Sequence, residues 1–213
     1  MERILVIGAS RGIGLEVVKQ GLDRGLTVRA MARSAEAMTQ ESPALERFAG
    51  DATDPADLAR ALEGQEAVIM ALGVPPGLGF VYKPVTLFSR ATEALVPLME
   101  AQGPRRLLAV TGFGAGESRR ALSTLERLPF RAVMGRAYDD KSRQEATIQS
   151  SALDWTIARP GILTKGPRTG RYRVLVEPGE WRNGLISRAD VAEFLLDAAQ
   201  TGGYVRQAPV LVR

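Results

Sequence analysis

A glycine-rich turn directly after the first apolar run constrains the fold of this chain more than any other feature. Residues 4–7 read ILVI, residues 8–14 read GASRGIG, and the apolar residues that follow recur at helical spacing. Glycines between a buried strand and a helix typically form a turn whose backbone approaches a pyrophosphate. In that arrangement Gly8 permits the sharp turn, Gly12 the approach of the phosphates, and Gly14 the close packing of helix on strand. The alternative is a corner without a ligand, but the strand-turn-helix context favours a nucleotide site.

Strand-like apolar runs alternate with helix-like segments along the rest of the chain. This pattern is typical of a parallel sheet covered by helices on both faces. Asp54, followed by Pro55, is a predicted helix N-cap, and Ser187 is predicted to cap the last helix. The fold class is therefore predicted to be α/β, in one domain over residues 1–213. The predicted strands are residues 4–7, 27–33, 67–72, 105–111 and 155–159.

Three stretches depart from this alternation and are predicted to be excursions on the substrate side of the sheet. They cover residues of about 73–84, 112–134 and 163–186, the first of them rich in glycine and proline. A helix is predicted over 135–151. Within 170–179 the pattern predicts a short strand outside the main sheet, which makes the third stretch a small C-terminal excursion.

Composition removes several kinds of chemistry. The chain has no Cys and no His, so it lacks thiolates, Ser-His-Asp triads and the commonest metal ligands, and no metal site is predicted. The formal net charge is only +4 and the arginines are scattered, which favours an anionic small molecule over nucleic acid as the partner. Neither a signal peptide nor a bilayer-spanning stretch is recognised, so we expect no membrane partner and a cytoplasmic protein, as a monomer or weak homodimer.

The residues at the end of the second predicted strand indicate which nucleotide binds. An NAD-preferring site usually has an acid there, which bonds the ribose 2′-hydroxyl. This chain has Arg33 and Ser34 instead, with Arg11 inside the glycine turn. Two guanidinium groups suit a 2′-phosphate, so we predict NADP(H) in preference to NAD(H). The alternative is that both arginines are solvated surface residues.

Four downstream segments resemble the atypical short-chain dehydrogenases/reductases, a group that includes the NmrA-like proteins and the biliverdin reductase B (flavin reductase) family. They read GDATDPADLARALEGQEAVIMALG, LLAVTGFGAG, DKSRQEATIQSSALDWTIARPGIL and NGLISRADVAEFLLDA. The resemblance covers nearly the whole chain and implies a Rossmann-type, doubly wound parallel sheet with NADP(H) at its C-terminal edge.

The glycine turn itself predicts the first cofactor contacts, and the resemblance implies those at the ends of the later strands. The glycine turn and the end of the second strand are predicted to hold the phosphates through Gly8, Ser10, Arg11, Gly12, Ile13, Gly14 and Arg33. The ends of the later strands are predicted to hold the rest of the cofactor through Asp51, Ala52, Ala71, Leu72, Gly73, Thr111, Gly112, Phe113, Lys141, Pro160, Gly161 and Ile162.

The catalytic groups of related reductases are only partly present. Lys141 occupies the position of the lysine in the Tyr-x-x-x-Lys pair, but Ala137 stands at the tyrosine position and Tyr138 is displaced by one residue. Three-residue spacing still places Tyr138 and Lys141 on one helix face, although Lys141 could bond the ribose without a catalytic role. Gly112 stands where the flavin-reductase branch has a serine, which leaves Thr111 as the nearby hydroxyl. The candidate catalytic residues are therefore Lys141, Tyr138 and Thr111.

An apolar, aromatic acceptor pocket is predicted from the three excursions. Its predicted residues are Phe80, Tyr82, Phe113, Leu128, Phe130, Met134 and Trp181. A group of arginines that could meet an anionic acceptor, or simply form a solvated basic face, comprises Arg168, Arg171, Arg173 and Arg182.

Two functions follow from these observations. The first is an NADPH-dependent oxidoreductase that transfers hydride to a conjugated small-molecule acceptor such as a flavin, quinone or tetrapyrrole. The second is an NmrA-like redox sensor that binds NADP(H) without turnover, which the absence of Tyr at 137 and the glycine at 112 favour. An isomerase or epimerase is disfavoured because it usually needs an intact Tyr-Lys pair and a larger sugar-binding lobe.

Overall fold

The computed structural model describes residues 1–74 and 85–213, with the side chains of these residues except 124–133. The described residues form ten strands: β1 (Arg3–Ile7), β2 (Thr27–Ala32), β3 (Leu45–Ala49), β4 (Ala67–Met70), β5 (Arg106–Val110), β6 (Asp154–Pro160), β7 (Ile162–Thr164), β8 (Arg173–Leu175), β9 (Leu185–Ser187) and β10 (Val210–Val212). Five helices accompany them: α1 (Gly12–Asp23), α2 (Pro55–Leu62), α3 (Leu87–Gln102), α4 (Thr124–Ser150) and α5 (Arg188–Thr201). Short 3-10 turns cover Ala35–Ala37, Gly116–Ala121 and Pro178–Glu180.

Eight of the strands form one sheet in the order β3-β2-β1-β4-β5-β6-β10-β8. All neighbours run parallel except β8, which is antiparallel to β10. The first six positions have the strand order of a doubly wound dinucleotide-binding fold, in which the order reverses between β1 and β4. The predicted fold class is confirmed.

The sheet is buried on both faces, as the unalternated apolar strands predicted. Ile4 and Val6 of β1 belong to one core with residues of α1 and α5, whereas Leu5 and Ile7 belong to a second core with residues of α2 and α3. All four side chains are fully buried. Because successive side chains of a strand point to opposite faces, this run of four apolar residues contributes equally to both cores.

Local signals locate the helix ends well. Asp54 accepts a hydrogen bond from the Ala56 backbone N–H at 2.8 Å and caps α2. Ser187 accepts from the Asp190 backbone N–H at 2.9 Å and caps α5. These short polar side chains satisfy backbone donors that have no partner within the helix.

The structure corrects two of the predicted elements. The short strand within 170–179 lies inside the main sheet, because β8 pairs with β10, a strand that no sequence signal had indicated. The helix predicted from residue 135 begins at Thr124, so much of the predicted excursion over 112–134 is helical. An apolar stretch by itself does not distinguish a helix from a pocket-lining loop. The excursion over 73–84 lies almost wholly outside the described residues.

In the part of the chain that the structure describes, no helix combines the length and the apolar character needed to cross a membrane.

Candidate active site

A cleft of about 1970 Å³ opens at the carboxyl ends of the parallel strands. It is lined by the glycine turn after β1, by residues after β2, β3, β4 and β5, and by the segment that follows β6. Doubly wound sheets bind their ligands at this edge, where the strand order reverses. The topology and the cleft therefore agree on the position of the site.

The three glycines of the turn each meet a different constraint. Gly8 has a φ of +87°, and a Cβ there would lie 2.7 Å from the carbonyl oxygen of Ala71 at the end of β4. Gly12 has a φ of +63° with open space beside it, whereas a Cβ on Gly14 would lie 2.2 Å from the Gly8 carbonyl oxygen. A side chain at 8 or 14 is thus excluded by backbone, and the space beside Gly12 is free for a ligand.

The first turn of α1 has the properties of an anion site. Its N-cap, Arg11, makes no side-chain hydrogen bond to the helix, and no acidic residue lies in the first turn. The first N–H groups of a helix have no partner within the helix, and together with the positive end of the helix dipole they favour an anion at this end, where the first turn has no acidic residue. These residues fit the phosphates of a dinucleotide.

Arg11 and Arg33 are both exposed and both line the cleft. Within residues 1–74 and 85–213 neither of them forms an ion pair. Asp51, also on the cleft, has a lowered pKa because it accepts hydrogen bonds from the backbone and hydroxyl of Thr53, with smaller contributions from the positive charges of Arg33 and Arg90. The end of β2 thus presents guanidinium charge to the cleft.

The residues predicted at the later strand ends separate into two groups. Those that line the cleft are Asp51, Ala52, Ala71, Leu72, Gly73, Thr111 and Lys141. Those that do not contribute to its lining are Gly112, Phe113, Pro160, Gly161 and Ile162.

Phe113 and Trp181 occupy a different place from the acceptor pocket predicted for them. Phe113 is 4% exposed and belongs to a small third core with Leu175 and the strand β10, against which Trp181 packs. The Trp181 indole N–H donates to the carbonyl oxygens of Leu175 and Val176, each at 3.2 Å. Both rings therefore pack where the C-terminal excursion, over residues 163–186, meets the sheet.

Most of the remaining predicted pocket residues lie outside the described part of the chain or away from the cleft. Phe80 and Tyr82 lie outside the described residues, as do the side chains of Leu128 and Phe130. Met134 is half-buried and does not line the cleft. Of the four arginines predicted to meet an anionic acceptor, Arg168 lines the cleft.

Tyr138 fills the space that a side chain at position 112 would need. A Cβ on Gly112 would lie 2.5 Å from the Tyr138 hydroxyl oxygen. Burial raises the pKa of Tyr138 to about 12, so this phenol is a weaker acid than an ordinary tyrosine. The glycine at 112 thus leaves the room that Tyr138, displaced by one residue from the usual tyrosine position, occupies.

Lys141 projects from α4 to the end of β5, where it lines the cleft. Its ammonium group donates to the backbone carbonyl of Thr111 and lies 5.1 Å from the ring centre of Phe88 and 5.3 Å from that of Tyr138. Burial lowers the pKa of Lys141 to about 8, although the charge of Glu145 opposes this change. A lysine with such a pKa exchanges protons readily near neutral pH.

Sequence reasoning missed the buried ion pair behind Lys141. Glu145 and Arg159 are each about 1% exposed in their side chains, and their charged groups lie 2.6 Å apart. A signal was present, because Glu145 stands one helical turn after Lys141 and Arg159 directly precedes Pro160 in the segment that carries the family resemblance. Arg90, Lys165 and Arg188 also line the cleft without having been predicted.

No group of three acidic, histidine or cysteine side chains among the described residues could hold a metal ion.

The fold, the glycine turn and the open first turn of α1 define a Rossmann-type dinucleotide-binding protein. A family model described as NAD(P)H-binding matches residues 8–201. The chain belongs to this NAD(P)H-binding family.

Individual relatives are consistent with this membership. The chain is 30% identical over 203 residues to the uncharacterized chloroplastic protein At2g34460 of Arabidopsis thaliana, over 92% of this chain and 71% of that one. It is 25% identical over 214 residues to the NAD(P)H azoreductase of Xenophilus azovorans, over 96% of this chain and 66% of the relative. Among solved structures, ChuY of Escherichia coli O157:H7, described as an anaerobillin reductase, matches with a TM-score of 0.82 and 27% identity, over 99% and 96% of the two chains. The resemblance to atypical short-chain reductases is thereby confirmed.

Proposed function

We propose that this protein is an NADPH-dependent reductase that delivers a hydride to a flat, conjugated small-molecule acceptor such as a flavin, a quinone or a tetrapyrrole. The observation that carries the proposal is the position of Lys141. Its ammonium group stands at the end of β5, in the same cleft as the glycine turn, with a pKa lowered by burial to about 8. A site that only stored a dinucleotide could use this lysine to bond the ribose, but it would gain nothing from a lysine pKa lowered toward neutrality.

The chain's own residues would hold the cofactor along this cleft. The backbone of Gly12 and the first turn of α1 would bind the pyrophosphate, and Arg11 and Arg33 would bind the 2′-phosphate of NADPH. Thr111 and Lys141 would then adjoin the nicotinamide side. When bound, NADPH supplies the hydride of the reaction.

An acceptor that gains a hydride also needs a proton, and Lys141 is the group we assign to donate it. Tyr138 is a poorer candidate because its hydroxyl packs on Gly112 and its pKa is raised to about 12. After the transfer Lys141 would regain its proton from water in the open cleft.

The choice of a conjugated acceptor rests on the relatives and on the chemistry of the cleft. The azoreductase and the anaerobillin reductase are both named for reductions of small molecules. Lys165, Arg168 and Arg188 add positive charge to the cleft wall after β6, which would favour an acceptor carrying carboxylates or a phosphate.

The direct test is anaerobic NADPH oxidation with FMN, FAD, a benzoquinone, biliverdin and an azo dye in turn, followed by the absorbance of the reduced nicotinamide. We expect at least one acceptor to be reduced faster than in protein-free solution. Lys141→Met should lower kcat about a hundredfold, the contribution of a positioned acid, while calorimetry still detects NADPH binding.

Micromolar NADPH binding without turnover above the protein-free rate, for every acceptor, would contradict the proposal and support the NADP(H)-binding sensor. Arg3→Ala is the matched control, because Arg3 begins β1 and therefore lies at the amino ends of the parallel strands, away from the cleft at their carboxyl ends. This variant should keep both the affinity and the turnover of the unmodified protein.

A further inference from the structure

Thr111 is held by two side chains of α4. Its hydroxyl donates to Glu145 Oε1 at 2.6 Å, and its backbone carbonyl accepts from Lys141 Nζ. The hydroxyl proton is therefore committed to Glu145, and the Thr111 oxygen can offer only lone pairs to a ligand in the cleft. This residue acts as an acceptor of hydrogen bonds at the nicotinamide side and not as a proton donor.

Glu145 is itself in contact with three parts of the chain behind the cleft, at Thr111 after β5, at Arg159 of β6 and at Gly116. Arg159 of β6 donates to both of its oxygens, from Nε at 3.1 Å and from Nη2 at 2.6 Å. The same guanidinium donates to the Ala208 carbonyl at 3.2 Å and lies 5.0 Å from the ring centre of Trp181. At Gly116, a Cβ would lie 2.0 Å from Glu145 Oε2. These contacts fix the position of the Glu145 carboxylate.

Two buried carboxylates of α4, those of Glu145 and Asp140, differ in their effect on the pKa of Lys141. Glu145 lies one helical turn away on α4 and raises the pKa of Lys141, against the larger effect of burial. A second buried carboxylate among the described side chains of α4, that of Asp140, turns to α3, where it accepts from the backbone N–H groups of Phe88 and Ser89 at 2.9 and 3.3 Å. The groups facing Lys141 from its neighbours are the phenol of Tyr138 and the ring of Phe88, and Arg159 faces Glu145.

We propose that Glu145 is a positioning residue of the active site, which acts on the ligand through Thr111 and Lys141. It removes the Thr111 hydroxyl as a donor, and it supplies the negative charge that keeps the Lys141 amine protonated and able to give a proton. Glu145 makes no contact with the cleft, so its influence passes entirely through these two partners. The reaction that they serve is the proposed reduction, and in that sense the inference rests on the proposed function.

The test measures Lys141 itself in the cofactor-free protein. Competitive labelling with acetic anhydride across pH, read by mass spectrometry of the peptide containing Lys141, gives the midpoint at which the free amine appears. We expect a midpoint of about 8 in the unmodified protein. In Glu145→Gln it should fall by about one pH unit, the usual effect of removing a close opposite charge.

Glu145→Gln leaves the Arg159 charge buried without a counter-charge and can prevent folding. The double variant Glu145→Gln/Arg159→Met removes both charges together and should shift the midpoint downward by a smaller amount, because the positive charge of Arg159 is lost with the negative charge of Glu145. Asp140→Asn is the matched control, because it removes another buried carboxylate of the same helix and should leave the midpoint unchanged.

A midpoint that stays at about 8 in both Glu145 variants, or that falls equally in Asp140→Asn, would overturn the assignment. Labelling requires neither cofactor nor acceptor, so its failure is distinct from a failure to find turnover. With an acceptor in hand, the alkaline limb of the kcat profile, where Lys141 loses the proton that it donates, should shift in the same direction as the labelling midpoint.

Discussion

At the scale of single residues, the proposed preference for NADPH would depend on two arginines that line the cleft, Arg11 and Arg33. Arg33 is exposed, lines the cleft and forms no ion pair within the described part of the chain. We expect Arg33→Ala to weaken NADPH binding by about 1.5–3 kcal/mol, roughly ten- to hundredfold, because a charge-assisted hydrogen bond to the 2′-phosphate is lost. NADH affinity should change little, and calorimetry with both nucleotides measures the ratio.

Arg11→Ala should act in the same direction as Arg33→Ala, and the pair should nearly abolish the preference. Equal losses of NADH and NADPH affinity would mean that the arginines serve the pyrophosphate or the fold. Comparable binding of the two nucleotides by the unmodified protein would also refute the predicted selectivity.

At the scale of elements, one carboxylate ties the segment after β7 to the start of α5. Asp190 is 1% exposed and accepts from the backbone N–H groups of Thr169 and Gly170 at 2.6 and 3.0 Å and from the Thr169 hydroxyl at 3.0 Å. Burial by itself raises the pKa of Asp190, but these hydrogen bonds outweigh it and the folded pKa lies below the ordinary value. Asp190→Asn should therefore lower the free energy of unfolding by about 1–3 kcal/mol near neutral pH.

The pH dependence of this difference has a definite sign. A lowered folded pKa means that the stabilisation is complete above the unfolded value, near pH 4, and is lost as the pH falls through the folded value. Urea unfolding across acid pH should therefore show the two proteins converging. Asp154→Asn, which removes a carboxyl with 45% of its side chain exposed, should stay within about 0.5 kcal/mol of the unmodified protein throughout.

At the scale of the whole molecule, the C-terminal strand joins the excursion to the sheet. Leu211 of β10 is fully buried and stands between Pro160 of β6 and Val174 of β8. Leu211→Ala should cost about 2–5 kcal/mol through the cavity it leaves, which lowers Tm by about 2–4 °C per kcal/mol in a chain of this size. Leu185→Ala, at a side chain 57% exposed, is the control, and an equal loss in both variants would contradict the role given to β10.

Much of the fold could be predicted because its signals are local. The glycine turn, the caps at Asp54 and Ser187 and the apolar strands each specify the conformation of a few consecutive residues, and each appears in the structure where it was predicted. The part of the site built on these elements lines the cleft for the same reason, through Gly8, Ser10, Arg11, Gly12, Ile13 and Arg33, whereas Gly14 packs against Gly8 and does not line it.

The sequence by itself determined the parallel sheet, its glycine turn and membership of a dinucleotide-binding class, since backbone preference and periodic burial are properties of neighbouring residues. Only the tertiary structure decided which distant residues meet. It paired β8 with β10, brought Glu145 to Thr111 and Arg159, and buried Phe113 in a third core against which Trp181 packs. These outcomes depend on packing between residues far apart in the chain, where an apolar or charged side chain carries no mark of its future partner.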